Sequence, residues 1–155
     1  MPDVDRRILP FTPCPLVLVV DDEATHRDAV TRMVQALGYQ ARSCASGSAA
    51  LRLLEANPRE VRLLIADLLM PGMDGGELTE RARDLDARLL VVLMAGAGDA
   101  DARELLSGYR DLPLLWKPVN LEEVARMFEE LLGAAAYPAP PRHRLRRRSW
   151  EHHQV

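Results

Sequence analysis

The chain has 155 residues, 48% of them hydrophobic, and a formal charge of −3 from 23 acidic and 20 basic side chains. That length suits one domain with a core of its own, needing neither disulfides nor a metal to hold it together. Uncharged apolar runs such as residues 89–98 fall far short of the ~20 residues a membrane helix needs, which excludes a spanning segment.

Residues 1–14 lack a long apolar run and are broken by prolines, so they read as an N-terminal extension, not a secretory signal, and the expected compartment is the cytoplasm. "LVLVV" at 16–20 is apolar throughout, as a strand covered on both faces should be. A helix follows over 24–37, with Ala29, Val30, Met33, Val34 and Leu37 on one face and Gly38 as its stop. A second strand at 40–44 leads to a helix opened by Ser46 as N-cap and closed at Asn57 and Pro58. The third strand, 62–66, runs into Asp67, and Asp74 reads as the N-cap of a helix over 75–85. A fourth strand covers 89–94, a fourth helix 100–107 and a fifth strand 112–116. "NLEE" opens the fifth helix, with Asn120 as cap and Glu123 three positions on, and Gly133 ends it. Cys14 and Cys44 form neither a CxxC nor a His/Cys pattern and read as reduced, structural thiols.

Strand and helix alternate five times. The pattern dictates an α/β fold, a parallel sheet with helices on both faces joined by right-handed crossovers. Residues 134–155 hold five arginines and one acid, for +4, which leaves −7 on residues 1–133. This Pro- and Arg-rich stretch reads as a solvated tail.

In open α/β sheets ligands sit beyond the carboxyl ends of the strands. Asp21 and Asp22 follow the first strand, Asp67 the third, Ala95 the fourth and Lys117 the fifth, so three carboxylates and one ammonium share a mouth. Lys117 is the single lysine among the 20 cationic residues. Two unit charges ~4 Å apart at an effective dielectric of ~20 repel by about 4 kcal/mol. A divalent cation relieves that repulsion. Mg²⁺ is the natural choice, because it takes one or two carboxylates, keeps waters and bridges to phosphate oxygens. The same repulsion predicts that removing either Asp21 or Asp22 raises the stability of the metal-free protein.

Three stretches, "VLVVDDE" (17–23), "ADLLMPGMDG" (66–75) and "WKP" (116–118), occur in this order at these strand ends. Together they resemble the receiver domain of bacterial two-component response regulators, over residues 15–133. The resemblance implies a doubly wound, flavodoxin-like α/β fold with five parallel strands in the order 2-1-3-4-5 and five helices. It further implies a stand-alone phospho-acceptor, not an enzyme in the ordinary sense, that takes a phosphoryl group on Asp67 from a histidine kinase or a histidine phosphotransfer protein. By the same resemblance Asp21, Asp22, Asp67 and the backbone carbonyl of Leu69 hold Mg²⁺. Lys117 then pairs with the phosphoryl oxygens, and Pro118 matches the proline after it.

Two positions depart from the family pattern. Receivers usually carry Thr or Ser after the fourth strand and an aromatic residue three places before the lysine; here these are Ala95 and Leu114. Trp116, beside Lys117, is expected to point to the opposite face of its strand and to serve packing. Output is expected through protein contacts, with homodimerisation left open and no membrane or nucleic-acid partner. The alternative reading is a degenerate receiver that works as a phosphorylation-independent binding or dimerisation module.

Overall fold

The computed structural model describes residues 14–133, so the expected extension up to residue 13 and the tail from 134 lie outside the described residues. Elements follow in the order β1 (Leu16–Val20), α1 (Ala24–Ala36), β2 (Gln40–Cys44), α2 (Gly47–Ala56), β3 (Val61–Asp67), α3 (Gly75–Leu85), β4 (Leu90–Gly96), α4 (Ala100–Leu106), β5 (Leu114–Lys117) and α5 (Leu121–Leu132).

The helix starts are built by local side-chain bonds. Ser46 Oγ accepts the Ala49 N–H at 3.2 Å, Asp74 Oδ1 that of Glu77 at 2.8 Å, and Asn120 Oδ1 that of Glu123 at 2.9 Å. Each satisfies an otherwise orphaned donor of the first turn and contributes about 1 kcal/mol. Beyond α1, Gly38 adopts φ 93°, a left-handed conformation that a side chain would strain.

All strands pair in parallel, in the order β2-β1-β3-β4-β5, with β1 and β3 adjacent although a crossover separates them in sequence. Alternation along the strands then divides the core into two layers. Leu18, Val20, Leu64, Ala66, Leu93 and Ala95 pack with Ala50 and Leu54 of α2, Leu78 and Ala82 of α3 and Ala102 of α4. Val17, Val19, Leu63, Ile65, Val92, Met94 and Leu115 pack with Val30 and Val34 of α1 and Val124, Phe128 and Leu132 of α5. Helices therefore cover both faces, and the fold is the doubly wound sheet that the alternation requires.

Two local expectations are corrected. Strand β5 begins at Leu114, not at residue 112. Pro113 has no N–H to give to the ladder, although its carbonyl still accepts the Leu93 N–H at 2.9 Å. Trp116 is not packed away but 43% exposed. Strand β5 is an edge strand with a neighbour on one side only, so its outer residues are less covered than those of β1 and β3.

Candidate functional site

Right-handed crossovers bring the carboxyl ends of β1, β3, β4 and β5 to one edge of the sheet. Asp67 is the last residue of β3 and 6% exposed, Asp21 directly follows β1 and is fully buried, and Asp22 beside it is exposed. Lys117 ends β5, and its Nζ donates to Asp67 Oδ2 at 3.0 Å and stands 3.5 Å from Asp21 Oδ2. One carboxylate oxygen from each of Asp21, Asp22 and Asp67 lies within 4.8 Å of the other two. The peptide between Lys117 and Pro118 is cis.

The loop after β3 is folded tightly onto its own origin. The Leu68 N–H still donates to Met94 O at 2.8 Å, and the Gly75 N–H turns back to Leu68 O at 2.8 Å. A Cβ on Gly75 would stand 2.5 Å from Asp67 O and 2.9 Å from Leu68 Cα, so only glycine lets α3 start this close to the acid. Gly75→Ala is therefore expected to displace the Asp67 backbone and to lower stability by about 1–3 kcal/mol, the usual range for overpacking, read by urea denaturation. Next to it, the Tyr109 ring lies over Gly76, and its hydroxyl donates to Glu80 Oε1 at 3.1 Å.

The acids differ sharply in their surroundings. Burial pushes the Asp67 carboxyl up; the hydrogen bond and charge of Lys117 oppose this without cancelling it, and the charges of Asp21 and Asp22 add to the rise. Burial also works against Asp21, but there the hydrogen bonds from His26 and the Glu23 N–H, with Lys117, outweigh it and hold the carboxyl below the usual range. Burial would lower Lys117, yet the hydrogen bond and charge of Asp67 and the charge of Asp21 raise it, so the ammonium is fixed at neutral pH.

Asp21 thus reverses the sign expected from repulsion alone. A depressed carboxyl stabilises the fold above its ordinary value of 3.8, and that stability is lost as pH falls through the lowered folded value. Asp21→Ala is expected to destabilise the metal-free protein by about 1–3 kcal/mol at neutral pH, because it leaves buried donors unpaired. Exposed Asp22 keeps the original expectation, a rise in metal-free stability on removal. Urea denaturation of the two variants in chelator checks both.

The other positions singled out in the sequence fall as follows. Ala95 is 2% exposed within β4, opposite Trp116 of β5, so it lies inside the strand and not after it. Leu114 is partly buried against the layer that α2, α3 and α4 cover, as is Leu69, two residues beyond Asp67. The sequence reading missed His26 and Arg27. His26 Nδ1 hydrogen-bonds Asp21 Oδ2, and Arg27 Nη1 donates to Asp21 O at 2.9 Å. The signal available was a histidine and an arginine in the first turn of the helix after an acid pair.

Chemically the cluster is a set of hard oxygen donors, two buried and one exposed, next to one fixed cation. A small hard dication suits such donors, and the exposed Asp22 leaves it a way in. The family model of the response regulator receiver domain matches residues 17–129, a span that includes all four of these residues. This chain belongs to the response regulator receiver family. It is a receiver domain of two-component phosphorelay signalling. It is 29% identical over 119 residues to the response regulator receiver protein CpdR of Brucella abortus (strain 2308), covering 77% of this chain and 98% of that protein. It is 34% identical over 117 residues to the sensor kinase CckA of the same organism, covering 75% of this chain but only 12% of the kinase. Among solved structures, a putative response regulator from Chloroflexus aurantiacus superposes with a TM-score of 0.67 at 28% identity, over 77% of this chain and 98% of that one. Among the described residues no helix of this receiver is long and apolar enough to cross a membrane.

Proposed function

We propose that this receiver accepts a phosphoryl group on Asp67 from a phosphohistidine of a kinase or phosphotransfer protein, in a Mg²⁺-dependent reaction, and signals by protein contact in the cytoplasm. One observation carries the reading: the Lys117 ammonium sits 3.0 Å from Asp67 Oδ2 beside two further carboxylates at the sheet's carboxyl edge. The near-complete span of CpdR, 98% of its length, supports a receiver working as a single domain.

An Asp67 carboxylate oxygen attacks phosphorus. The O–P bond forms as the P–N bond of the phosphoimidazole breaks, and the imidazole leaves with the bonding pair and takes up a proton. The product is an acyl phosphate. Asp21, Asp22, Asp67 and the Leu69 carbonyl would hold the Mg²⁺, which supplies charge neutralisation for the acids and the incoming phosphoryl oxygens. Lys117 stays protonated and exchanges its bond to Asp67 for one to a phosphoryl oxygen. Burial of Asp67 and Asp21 limits the contact of bulk water with the reacting carboxylate.

Incubation with Mg²⁺ and a small phosphodonor, followed by intact mass measurement, tests this directly: one phosphoryl group is gained, and it is lost on brief base treatment. An unmodified mass favours the second reading, a phosphorylation-independent binding or dimerisation module, for which Ala95 and Leu114 speak.

Those two residues also carry a prediction about response. Ala95 offers no hydroxyl to a phosphoryl oxygen, a bond to a charged group typically worth ~1.5–3 kcal/mol. Leu114 has no ring to swing. Phosphorylation should therefore bias β4 and α4 weakly, since a ligand shifts an equilibrium only by its differential contacts with the two states. Ala95→Thr with Leu114→Tyr is expected to enlarge the phosphorylation-dependent chemical-shift changes over residues 95–112. Large changes there in the unaltered protein would overturn this.

A further inference from the structure

His26 touches the acidic cluster through Asp21 without being one of its three carboxylates or its ammonium. It is the third residue of α1, its side chain is 17% exposed, and its Nδ1 hydrogen-bonds Asp21 Oδ2. Asp21 is ionised and can only accept, so Nδ1 carries the proton in this bond. The other ring nitrogen, Nε2, is buried and has no hydrogen-bond partner. A buried acceptor left without a donor costs stability, so packing the ring here is not explained by the needs of the helix. Nor is the bond needed to close the turn, because Asp21 Oδ1 already accepts the Glu23 N–H at 2.9 Å. The contribution specific to His26 is to fix the rotation of the Asp21 carboxylate. Lys117 Nζ reaches the same Oδ2 at 3.5 Å, a longer contact than its 3.0 Å bond to Asp67 Oδ2.

We propose that His26 is a positioning residue for the cation site: it holds Asp21 Oδ2 from the α1 side, so that Lys117 keeps its shorter bond to Asp67 and the Asp21 carboxylate is fixed beside Asp22 and Asp67 in a ligand-ready orientation. This rests on the reading of the three carboxylates as a Mg²⁺ site. Outer partners that orient a metal's ligands typically change its affinity 10–100-fold when removed.

The test is Mg²⁺ titration, by calorimetry, of the wild-type protein, His26→Leu and His26→Asn. His26→Leu is expected to bind Mg²⁺ about tenfold more weakly, and His26→Asn, whose amide N–H can reach the same oxygen, within about threefold of wild type. In the wild type, nitrogen-15 imidazole spectra should show the Nδ1–H tautomer, with a resonance that moves on Mg²⁺ addition at the calorimetric dissociation constant. Equal affinity in wild type and His26→Leu, an Asn variant as weak as the Leu variant, or an imidazole signal unmoved by Mg²⁺ overturns the proposal. If His26→Leu does not fold, the Asn variant and the imidazole spectra decide it. Absence of Mg²⁺ binding by the wild type itself overturns the cation-site reading, and this inference with it.

Discussion

Asp67→Asn is expected to abolish the phosphoryl adduct completely and, at the same time, to make the metal-free protein more stable. The first effect follows from chemistry, since an amide is not a nucleophile toward phosphorus, and Asp21, the other carboxylate near Lys117, is already bound by His26 and the Glu23 N–H. The second follows from the raised Asp67 carboxyl. A carboxyl raised in the folded state destabilises the fold above its ordinary value of 3.8, because ionisation is harder in the native site than in the unfolded chain. The neutral amide removes that penalty while its oxygen can still accept from Lys117. A rise in Tm on the order of a few °C at neutral pH is expected, and the gap to wild type should close as pH falls towards 3.8. Intact mass after phosphodonor treatment and thermal melts across pH check the two halves separately. An adduct on the Asn variant would remove Asp67 from its proposed role; a lower Tm would mean that Lys117 stabilises the ionised acid more than burial opposes it.

Lys117→Met is expected to have the opposite effect on stability and a large one on reaction. The variant keeps a side chain of similar length but leaves Asp67 and Asp21 facing each other and Asp22 with no cation between them. Loss of a partner from a largely buried pair typically destabilises by 3–5 kcal/mol. Here Lys117 is 22% exposed and water reaches part of the site, so a loss of about 2–3 kcal/mol at neutral pH is expected. Both carboxyls lose a stabilising charge and rise, so the folded state binds protons more readily and the deficit shrinks as pH falls. Added Mg²⁺ should recover part of it by mass action on the folded state. Phosphorylation should slow by about 10²-fold, the usual consequence of losing one donor to a developing negative oxygen. Urea denaturation against pH, with and without Mg²⁺, and single-turnover phosphorylation read these outcomes. A pH-independent deficit that Mg²⁺ leaves untouched would assign Lys117 a packing role only.

What the sequence determined by itself was set by interactions that close within a few residues. The alternation of apolar runs with amphipathic stretches specified five strands and five helices, and Ser46, Asp74 and Asn120 cap their helices because each bonds an N–H three residues on. Asp21, Asp22, Asp67 and Lys117 could be assigned to one mouth because parallel strands with right-handed crossovers bring their carboxyl ends to one edge. Tertiary structure alone decided which of these charges are alike in energy. Asp21 and Asp67 are both buried acids at strand ends, but only Asp21 meets His26 Nδ1 and the Glu23 N–H, so one carboxyl is lowered and the other raised. Trp116 lies open because β5 ends the sheet; that strand order was implied by the family resemblance, but how far the edge leaves this side chain uncovered was decided by the packing around it. The glycines at 75 and 76 could be read only as turn or helix-start residues until Asp67 O and the Tyr109 ring were seen against them. In each case the deciding neighbour comes from another segment of the chain or from the exact path of a turn, and periodicity carries no record of either.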